Sequence, residues 1–199
     1  MSNIHVLFAP GAMQTAFWIS YWAWILMEVW IFSRDIRKGT GQKKDRGSFI
    51  LIMVLITVGI TTAFYAPHLW PWATITLPRD QTFWTAIAMI WAGIALRVWA
   101  VLTLGKHFRT SVRILDDHKL VTSGPYRFLR HPSYTGGLIT VFGVGLALGN
   151  WISLAAAFAG IFISYSVRIF VEEKALREHF GAAFDAHAKR TWAVLPPVW

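Results

Sequence analysis

The sequence has no cysteine and few charged side chains. The absence of cysteine excludes disulfide bonds and thiolate-ligated metal sites. Charged residues make up 15% of the 199 residues and hydrophobic residues 55%, whereas roughly a quarter of the residues in a soluble domain are charged. Such a chain would expose a large apolar surface in water. The composition therefore predicts an integral membrane protein, and the 12 tryptophans fit because indole rings favour the membrane interface.

We expect neither a cleaved signal peptide nor a metal site. Residues 1–5 contain no Lys or Arg, which a cleaved signal peptide carries at its start. We therefore expect the first apolar run to be a retained membrane span. His107, His179 and His187 do not have the spacing that zinc ligands use, so we expect no metal.

The charge balance is basic, with a net charge of +9. The basic residues lie in short segments between apolar runs, and we therefore expect no nucleic-acid partner. Close to a membrane, anionic headgroups attract each Lys or Arg by about 1 kcal/mol. The lipid bilayer is the partner that this pattern predicts.

Five apolar runs predict the fold class. A membrane-spanning helix needs about 20 predominantly apolar residues. The sequence predicts an all-α, polytopic protein that forms a single membrane domain, with spans near residues 13–32, 49–66, 83–104, 132–148 and 151–171. Only Gly149 and Asn150 separate the last two runs, which predicts a tight helical hairpin.

Beyond residue 171 the pattern stays helical but turns polar. We therefore expect the fifth helix to leave the membrane, to end near Gly181, and to be followed by a short helix over 184–190. Glu173 and Arg177 are four residues apart, a spacing that predicts a stabilising pair on a solvated helix.

The positions of the basic residues predict the orientation. Segments 34–46, 106–130 and 168–190 hold six, six and five of the 19 Lys and Arg residues, and the other two are Arg79 and Arg97. An odd number of spans places the three basic segments on one side, which the positive-inside rule assigns to the cytosol. The N-terminus is then expected outside and the C-terminus in the cytosol.

One stretch with candidate functional residues lies directly before the fourth span. A turn is predicted at residues 124–125, and Pro132 suits the first position of a helix. His131 should then lie at the cytosolic mouth of the span, where free N–H groups favour a carboxylate or phosphate and where Tyr126 and Tyr134 add donors. The alternative is an interfacial anchor, for which these residue types are equally suited.

A second stretch lies where the fifth span ends. Arg168 and Glu172 are four residues apart and share a helix face. An ionisable side chain in the last turn of an apolar span is a functional hypothesis, although a snorkelling arginine paired with its own Glu172 is the alternative. For Arg97, inside the third span, we expect a structural ion pair with Glu28.

Glycines in and after the fourth span resemble a dinucleotide-binding loop only faintly. They follow no predicted strand, so the context of that motif is missing. Gly145 and Gly149 are instead predicted to allow close helix packing.

Three segments together resemble a known family. They are residues 120–126 (LVTSGPY), residues 130–136 (RHPSYTG), and Arg168 followed by Glu172 and Glu173. This arrangement is similar to that of the isoprenylcysteine carboxyl methyltransferase family, within a wider group that includes phospholipid methyltransferases. The resemblance covers residues 117–195 and implies a cofactor-binding half in residues 105–199. The three predicted N-terminal spans, in residues 1–104, match the family only as hydrophobic helices.

The resemblance implies an S-adenosylmethionine pocket at the cytosolic face. The residues that should line it are His118, Lys119, Leu120, Val121, Tyr126, His131, Pro132, Ser133 and Tyr134. Glu172 should hold the amino group of the cofactor and Arg168 the carboxylate of the acceptor, so these two are the expected catalytic residues. Arg113 is a further candidate contact. The tail, residues 191–196, departs from the family because it lacks the basic residue often found before the proline.

The implied activity is S-adenosylmethionine-dependent methyl transfer to a lipophilic acceptor, with carboxylate O-methylation favoured. Positioning two reactants for such a displacement supplies about 7–11 kcal/mol. A carboxylate is already ionised at neutral pH, whereas an amine must first lose a proton. Three alternatives stay open: a phospholipid or amine N-methyltransferase, a nicotinamide-dependent membrane reductase, which shares the His-Pro motif, and a non-catalytic membrane scaffold.

Overall fold

The regular structure is helical, as the apolar runs predict. The computed structural model describes residues 11–36, 46–105, 108 and 120–196. The α-helices in these residues are α1 (Ala12–Ile36), α2 (Arg46–Leu69), α3 (Arg79–Leu104), α4 (Pro132–Ala147), α5 (Trp151–Phe180) and α6 (Ala182–Ala188). Two short 3-10 helices, Pro71–Ala73 and Gly124–Arg127, and two isolated β-bridges complete the described backbone. The all-α prediction is confirmed for this part of the chain.

The helices differ in their capacity to cross a membrane. Within the described residues, Ala12–Arg34, Arg79–Leu104 and Trp151–Phe180 are long and apolar enough to span it, and Met53–Leu69 is apolar but shorter. Helix α4 has 16 residues, a length of about 24 Å at 1.5 Å per residue. The chain is thus an integral membrane protein, and the count of five spans stays a prediction.

Large apolar side chains cover the outside of these helices. Leu26, Val58 and Trp99 are each more than half exposed, and so are Phe128 and Phe170 near the end of the molecule that carries α6. In water such a surface would be costly at about 25 cal/mol per Å². In a bilayer it is the surface that lipid chains contact.

Glycines bring α3 and α4 into close backbone contact. A Cβ atom added to Gly136 would lie 2.7 Å from the backbone nitrogen of Arg97 and from the carbonyl oxygen of Gly93. A Cβ on Gly143 would lie 2.8 Å from the carbonyl oxygen of Ala86. Only glycine permits this approach, which is typical of helix pairs in membranes.

A second glycine contact joins α2 and α5. A Cβ on Gly59 would lie 2.7 Å from the carbonyl oxygen of Ala156, and one on Gly160 would lie 2.7 Å from that of Leu55. Because α5 also packs on α4 and α3 also packs on α1, backbone contacts join the helices in the order α2, α5, α4, α3, α1. Aromatic rings of α1 also contact the ring of Phe64 on α2, so the first and last helices of this order touch as well.

The predicted hairpin between α4 and α5 is confirmed. Gly149 adopts a φ of +68°, a conformation that favours glycine. The Asn150 side-chain oxygen accepts hydrogen bonds from the backbone nitrogens of Ile152 (2.9 Å) and Ser153 (3.2 Å), a helix cap worth about 1 kcal/mol. Its amide nitrogen donates to the carbonyl of Trp70 at 2.9 Å, which ties the hairpin to the loop after α2.

The two glycines assigned to helix packing have different roles. A Cβ on Gly145 would lie 2.8 Å from the Cα of Leu154, so its packing role is confirmed. For Gly149 the prediction was wrong, because a Cβ there would meet nothing within 4 Å. The positive φ of Gly149 forms the turn instead.

Helix α5 carries the chain beyond its apolar part, as predicted. It ends at Gly181, whose φ is +51°, and α6 follows directly over Ala182–Ala188. Helix α6 therefore begins two residues before the predicted segment. The C-terminal ends of α3 and α5, the start of α4 and α6 lie at one end of the molecule, and the Gly149–Asn150 turn lies at the other.

Candidate active site

The start of α4 is built by a tight turn and a proline. The 3-10 helix Gly124–Arg127 buries Tyr126, and α4 begins at Pro132 with His131 as the preceding cap residue. His131 is only 4% exposed. Pro132 fits the first helical position because no partner is needed there for its missing N–H. The sequence therefore predicts this local structure correctly.

The C-terminal tail pairs with the segment before α4. The backbone nitrogens of Arg130 and His131 donate to the carbonyls of Trp192 (2.8 Å) and Ala193 (3.0 Å). The Thr135 hydroxyl donates to the carbonyl of Val194 at 2.8 Å. The tail thus packs alongside the start of α4. Nothing in the local sequence signals this contact, because its hydrogen bonds join groups about 60 residues apart and their acceptors are backbone carbonyls.

The two predicted motifs meet at Tyr134 and Glu172. The Tyr134 hydroxyl donates to Oε2 of Glu172 at 2.8 Å across a separation of 38 residues. The Tyr134 ring stacks on His131, with centroids 5.6 Å apart, and lies 4.7 Å from the ring of Tyr165. A carboxylate and three rings therefore form one cluster at the end of α5.

Glu173, next to Glu172, has other partners. Its Oε1 lies 2.7 Å from Nε of Arg130 and 3.2 Å from Nε2 of His131. Arg130 also donates to the carbonyls of Ala188 and Thr191. Glu173 and Arg130 thus fasten the start of α4 and the tail to α5.

This arrangement corrects the predicted helix pair of Glu173 with Arg177. Arg177 instead pairs with Asp185 on α6, with Nε and Oδ1 2.9 Å apart. The spacing of four residues made the local pair possible, but the partly buried partner Arg130 is 43 residues away in sequence. A periodicity argument finds only neighbours on the same helix and so missed it.

Arg168 lies inside the protein. It is 7% exposed, and its guanidinium lies close to the Tyr134 hydroxyl. A snorkelling arginine would extend along the surface with its head in water. The burial of Arg168 contradicts that alternative and adds a cation to the cluster of Tyr134 and Glu172.

Two side chains outside the spans, one in the cluster and one on α6, have shifted pKa values. Burial, reinforced by the nearby Glu172, raises the pKa of Tyr126 well above its usual value, so its hydroxyl remains a hydrogen-bond donor at neutral pH. Burial, and then the positive charge of Arg130, lower the pKa of His187 on α6. The imidazole of His187 is therefore neutral at pH 7.

The predicted ion pair of Arg97 with Glu28 is confirmed. Their Nε and Oε1 atoms lie 2.7 Å apart. Arg97 also donates to the carbonyl (2.9 Å) and hydroxyl (3.2 Å) oxygens of Ser133. The Ser133 hydroxyl is therefore directed at α3.

The structure brings together most of the predicted site residues. The cluster contains Tyr126, His131, Tyr134, Arg168 and Glu172, with Pro132 and Ser133 in the first turn of α4. Leu120 and Val121 are partly buried just before the 3-10 helix. His118, Lys119 and Arg113 lie outside the described residues.

Known proteins match the part of the chain that contains the cluster. The family model for phospholipid methyltransferases matches residues 81–183. A probable protein-S-isoprenylcysteine O-methyltransferase of Oryza sativa subsp. indica is 34% identical over 128 residues, which cover 61% of this chain and 67% of that protein. Protein-S-isoprenylcysteine O-methyltransferase B of Arabidopsis thaliana is 36% identical over 121 residues, with coverages of 58% and 61%.

A solved structure shares the fold. The eukaryotic intramembrane Ras methyltransferase, an isoprenylcysteine carboxyl methyltransferase, aligns with a TM-score of 0.59 over 77% of this chain and 54% of its own. The identity of 23% restricts this likeness to the fold. This structural alignment covers 77% of the chain, more than the 58–61% covered by the two sequence alignments above.

Proposed function

The chain belongs to the phospholipid methyltransferase family, and we propose that it methylates the carboxylate of a lipophilic acceptor with S-adenosylmethionine as donor. The chain is an integral membrane methyltransferase, and we propose that the cluster around Tyr134 is its active site. The observation that carries this proposal is the hydrogen bond from the Tyr134 hydroxyl to Glu172, because it joins the two family-like motifs at one end of the molecule.

The donor set of the cluster fits the proposed cofactor. Glu172 offers a carboxylate for an ammonium group, an interaction stronger than a neutral hydrogen bond. The rings of Tyr134 and Tyr126 offer π-faces to a cation. When bound, S-adenosylmethionine supplies an electrophilic methyl group on a sulfonium centre. Leu120, Val121 and His131 would complete the walls, together with His118 and Lys119.

Arg168 is the residue that we assign to the acceptor. A buried guanidinium orients a carboxylate through two parallel hydrogen bonds, and a carboxylate needs no general base at neutral pH. The relatives named above are O-methyltransferases of protein-linked isoprenylcysteine. We therefore propose that the acceptor is an S-prenylated cysteine or a molecule with the same features, a lipid chain and a terminal carboxylate.

The lipid environment suits such an acceptor. Exposed Phe170 and Val167 lie on α5 beside the turn that carries Arg168, so a prenyl chain in the bilayer has an apolar surface next to the cluster. We assign the cluster to the cytosolic side, where the basic segments are expected and where the donor is made.

Two substitutions on α5 separate the assigned roles. Glu172→Gln removes the charge that holds the cofactor, and we expect calorimetry on the detergent-solubilised protein to show at least about tenfold weaker S-adenosylmethionine binding. Arg168→Gln should leave that binding unchanged and lower kcat by about 100-fold, since misplaced reactants cost that much. Glu178→Gln, an exposed position on the same helix, is the matched control. Wild-type binding and turnover in both site variants would remove the assignment.

Amine N-methylation is the second candidate function. The observation that favours it is the description of the family model, which names phospholipids. Such an acceptor would need to release a proton, and Glu172 is the carboxylate nearest to Arg168 along α5. A labelled methyl group on an aminophospholipid instead of a carboxylate would establish this candidate.

A further inference from the structure

An ion pair between α3 and α1 lies next to the cluster. Arg97 on α3 and Glu28 on α1 make two contacts, Nε to Oε1 at 2.7 Å and a second guanidinium nitrogen to Oε2 at 2.8 Å. Their side chains are 10% and 32% exposed. Helix α1 lies outside the segment that the family model matches, so Glu28 comes from a part of the chain that this model does not cover.

The remaining guanidinium nitrogen of Arg97 reaches the first turn of α4. It donates to both the carbonyl and the hydroxyl oxygen of Ser133. Ser133 stands between Pro132 and Tyr134, the residue whose hydroxyl holds Glu172. On its other side, the Arg97 guanidinium faces the hydroxyl of Tyr165, whose ring packs on that of Tyr134.

Helix cohesion alone does not account for this arrangement. Removing two charges from water costs free energy that their attraction only partly returns, and apolar residues of the same volume often hold helices together as well or better. Glycine contacts already join α3 to α4 over Gly93, Gly136 and Gly143. What an apolar pair would lack is the directed fork of donors that fixes Ser133.

We propose that Arg97, held by Glu28, is a positioning residue that fixes the first turn of α4 and thereby places Tyr134 against Glu172. The inference rests on the proposed function for its catalytic meaning. Its structural content, an ordered helix start, is independent of that function and is measured separately.

The test removes both charges at once. The double variant Glu28→Met/Arg97→Met leaves no unpaired buried charge, so we expect its melting temperature in detergent to stay close to wild type. Hydrogen exchange followed by mass spectrometry should show at least about tenfold faster exchange of the amides of residues 134–138, as expected when a charge-assisted hydrogen bond is lost. Amides where α2 packs on α5 should keep their protection. The apparent Kd for S-adenosylmethionine should rise by a similar factor.

Two further variants make the result decisive. Arg97→Lys keeps the charge beside Glu28 but lacks the fork that reaches Ser133, and we expect it to fold and to show the same faster exchange at the start of α4. Arg177→Met/Asp185→Met removes an ion pair of exposed side chains and should change neither readout. Wild-type protection of residues 134–138 in the lysine variant would overturn the inference. Absence of S-adenosylmethionine binding by the wild type would overturn the proposed function alone.

Discussion

The adjacent residues Glu172 and Glu173 on α5 have different roles. Glu172 accepts a hydrogen bond from the hydroxyl of Tyr134. Glu173 instead binds Arg130 and His131, and Arg130 in turn donates to carbonyls near the C-terminus. Neighbouring positions on a helix point about 100° apart, so the two carboxylates meet different surroundings. Glu173 stabilises the walls of the cluster, and Glu172 remains the carboxylate that a ligand can share.

Glu173→Gln should therefore act on stability. The substitution removes charge-assisted hydrogen bonds to Arg130 and His131, with side chains of Glu173 and Arg130 only 17% and 15% exposed, and bonds of that kind contribute about 1.5–3 kcal/mol. We expect a lower melting temperature of the detergent-solubilised protein. Glu178→Gln provides the control. A Glu173 variant that melts like wild type would contradict the structural role.

Tyr134→Phe should act on the ligand instead. It keeps the ring that stacks on His131 and Tyr165 and removes only the hydroxyl that holds Glu172 at 2.8 Å. We expect about tenfold weaker S-adenosylmethionine binding, the effect of one lost hydrogen bond to a charged group, measured on the folded variant well below its melting temperature. Tyr65→Phe, at an exposed position on α2, is the matched control. Equal affinity of the Tyr134 variant and wild type would exclude this role for the hydroxyl.

At the scale of the elements, the close approach of α3 and α4 positions the cluster. The contact over Gly93 and Gly136 brings Arg97 within reach of Ser133. The hairpin turn at Gly149 and Asn150 then returns the chain as α5, which delivers Arg168 and Glu172 to the start of α4. The site thus depends on helix distances that individual side chains do not set.

Gly136→Ala tests that dependence. The added Cβ would meet backbone atoms of Arg97 and Gly93 at 2.7 Å, which cannot move aside as a side chain can. We expect a loss of about 1–3 kcal/mol in stability, typical of overpacking, measured as a lower melting temperature. Ala95→Val, on the exposed side of α3, adds volume toward lipid and should have little effect. Equal melting of both variants would show that the helices can separate without cost.

The sequence was sufficient for the helices and for the local geometry of the motifs. The apolar runs predicted helices α1 to α5, because the length and hydrophobicity of a segment can be determined without knowing its tertiary contacts. Pro132 marks the start of α4 because proline has a fixed φ and no N–H to pair. Gly181 marks the end of α5 because glycine readily adopts the positive φ, here +51°, at which a helix ends. The proximity of the start of α4 to the end of α5, seen in the bond between Tyr134 and Glu172, followed from the predicted topology and the family resemblance.

Contacts between distant segments escaped prediction. The pairing of Ala193 with His131 uses backbone groups, which carry no sequence signal. Glu173 was assigned to Arg177 because that partner is local, while its actual partner, Arg130, is supplied by tertiary packing. Gly149 was interpreted by its small size, although its positive φ decides its role.

At the scale of the whole molecule, function depends on orientation. The α3 and α5 ends that carry the cluster share one side, and the Gly149–Asn150 turn and the loop after α2 share the other. The proposed cofactor is a water-soluble ion, whereas the proposed acceptor is held by the bilayer. The cluster is therefore expected where both can reach it, at the cytosolic interface.

The absence of cysteine makes that orientation measurable. Single substitutions Thr76→Cys, beyond α2, and Ala186→Cys, on α6, both lie at exposed positions. A membrane-impermeant maleimide applied to intact cells should label the cysteine at 76 and not the one at 186, and permeabilised cells should label both. The reverse pattern would place the cluster on the outer face.

The most direct test of the central claim is transfer of a labelled methyl group. Purified protein in lipid nanodiscs is incubated with methyl-labelled S-adenosylmethionine and a free S-prenylated cysteine, with its carboxamide as the matched control. The account predicts a base-labile methyl ester on the carboxylate compound, none on the carboxamide, and at least about 100-fold slower formation by Arg168→Gln. Label on neither compound, or wild-type rates from Arg168→Gln, would contradict it.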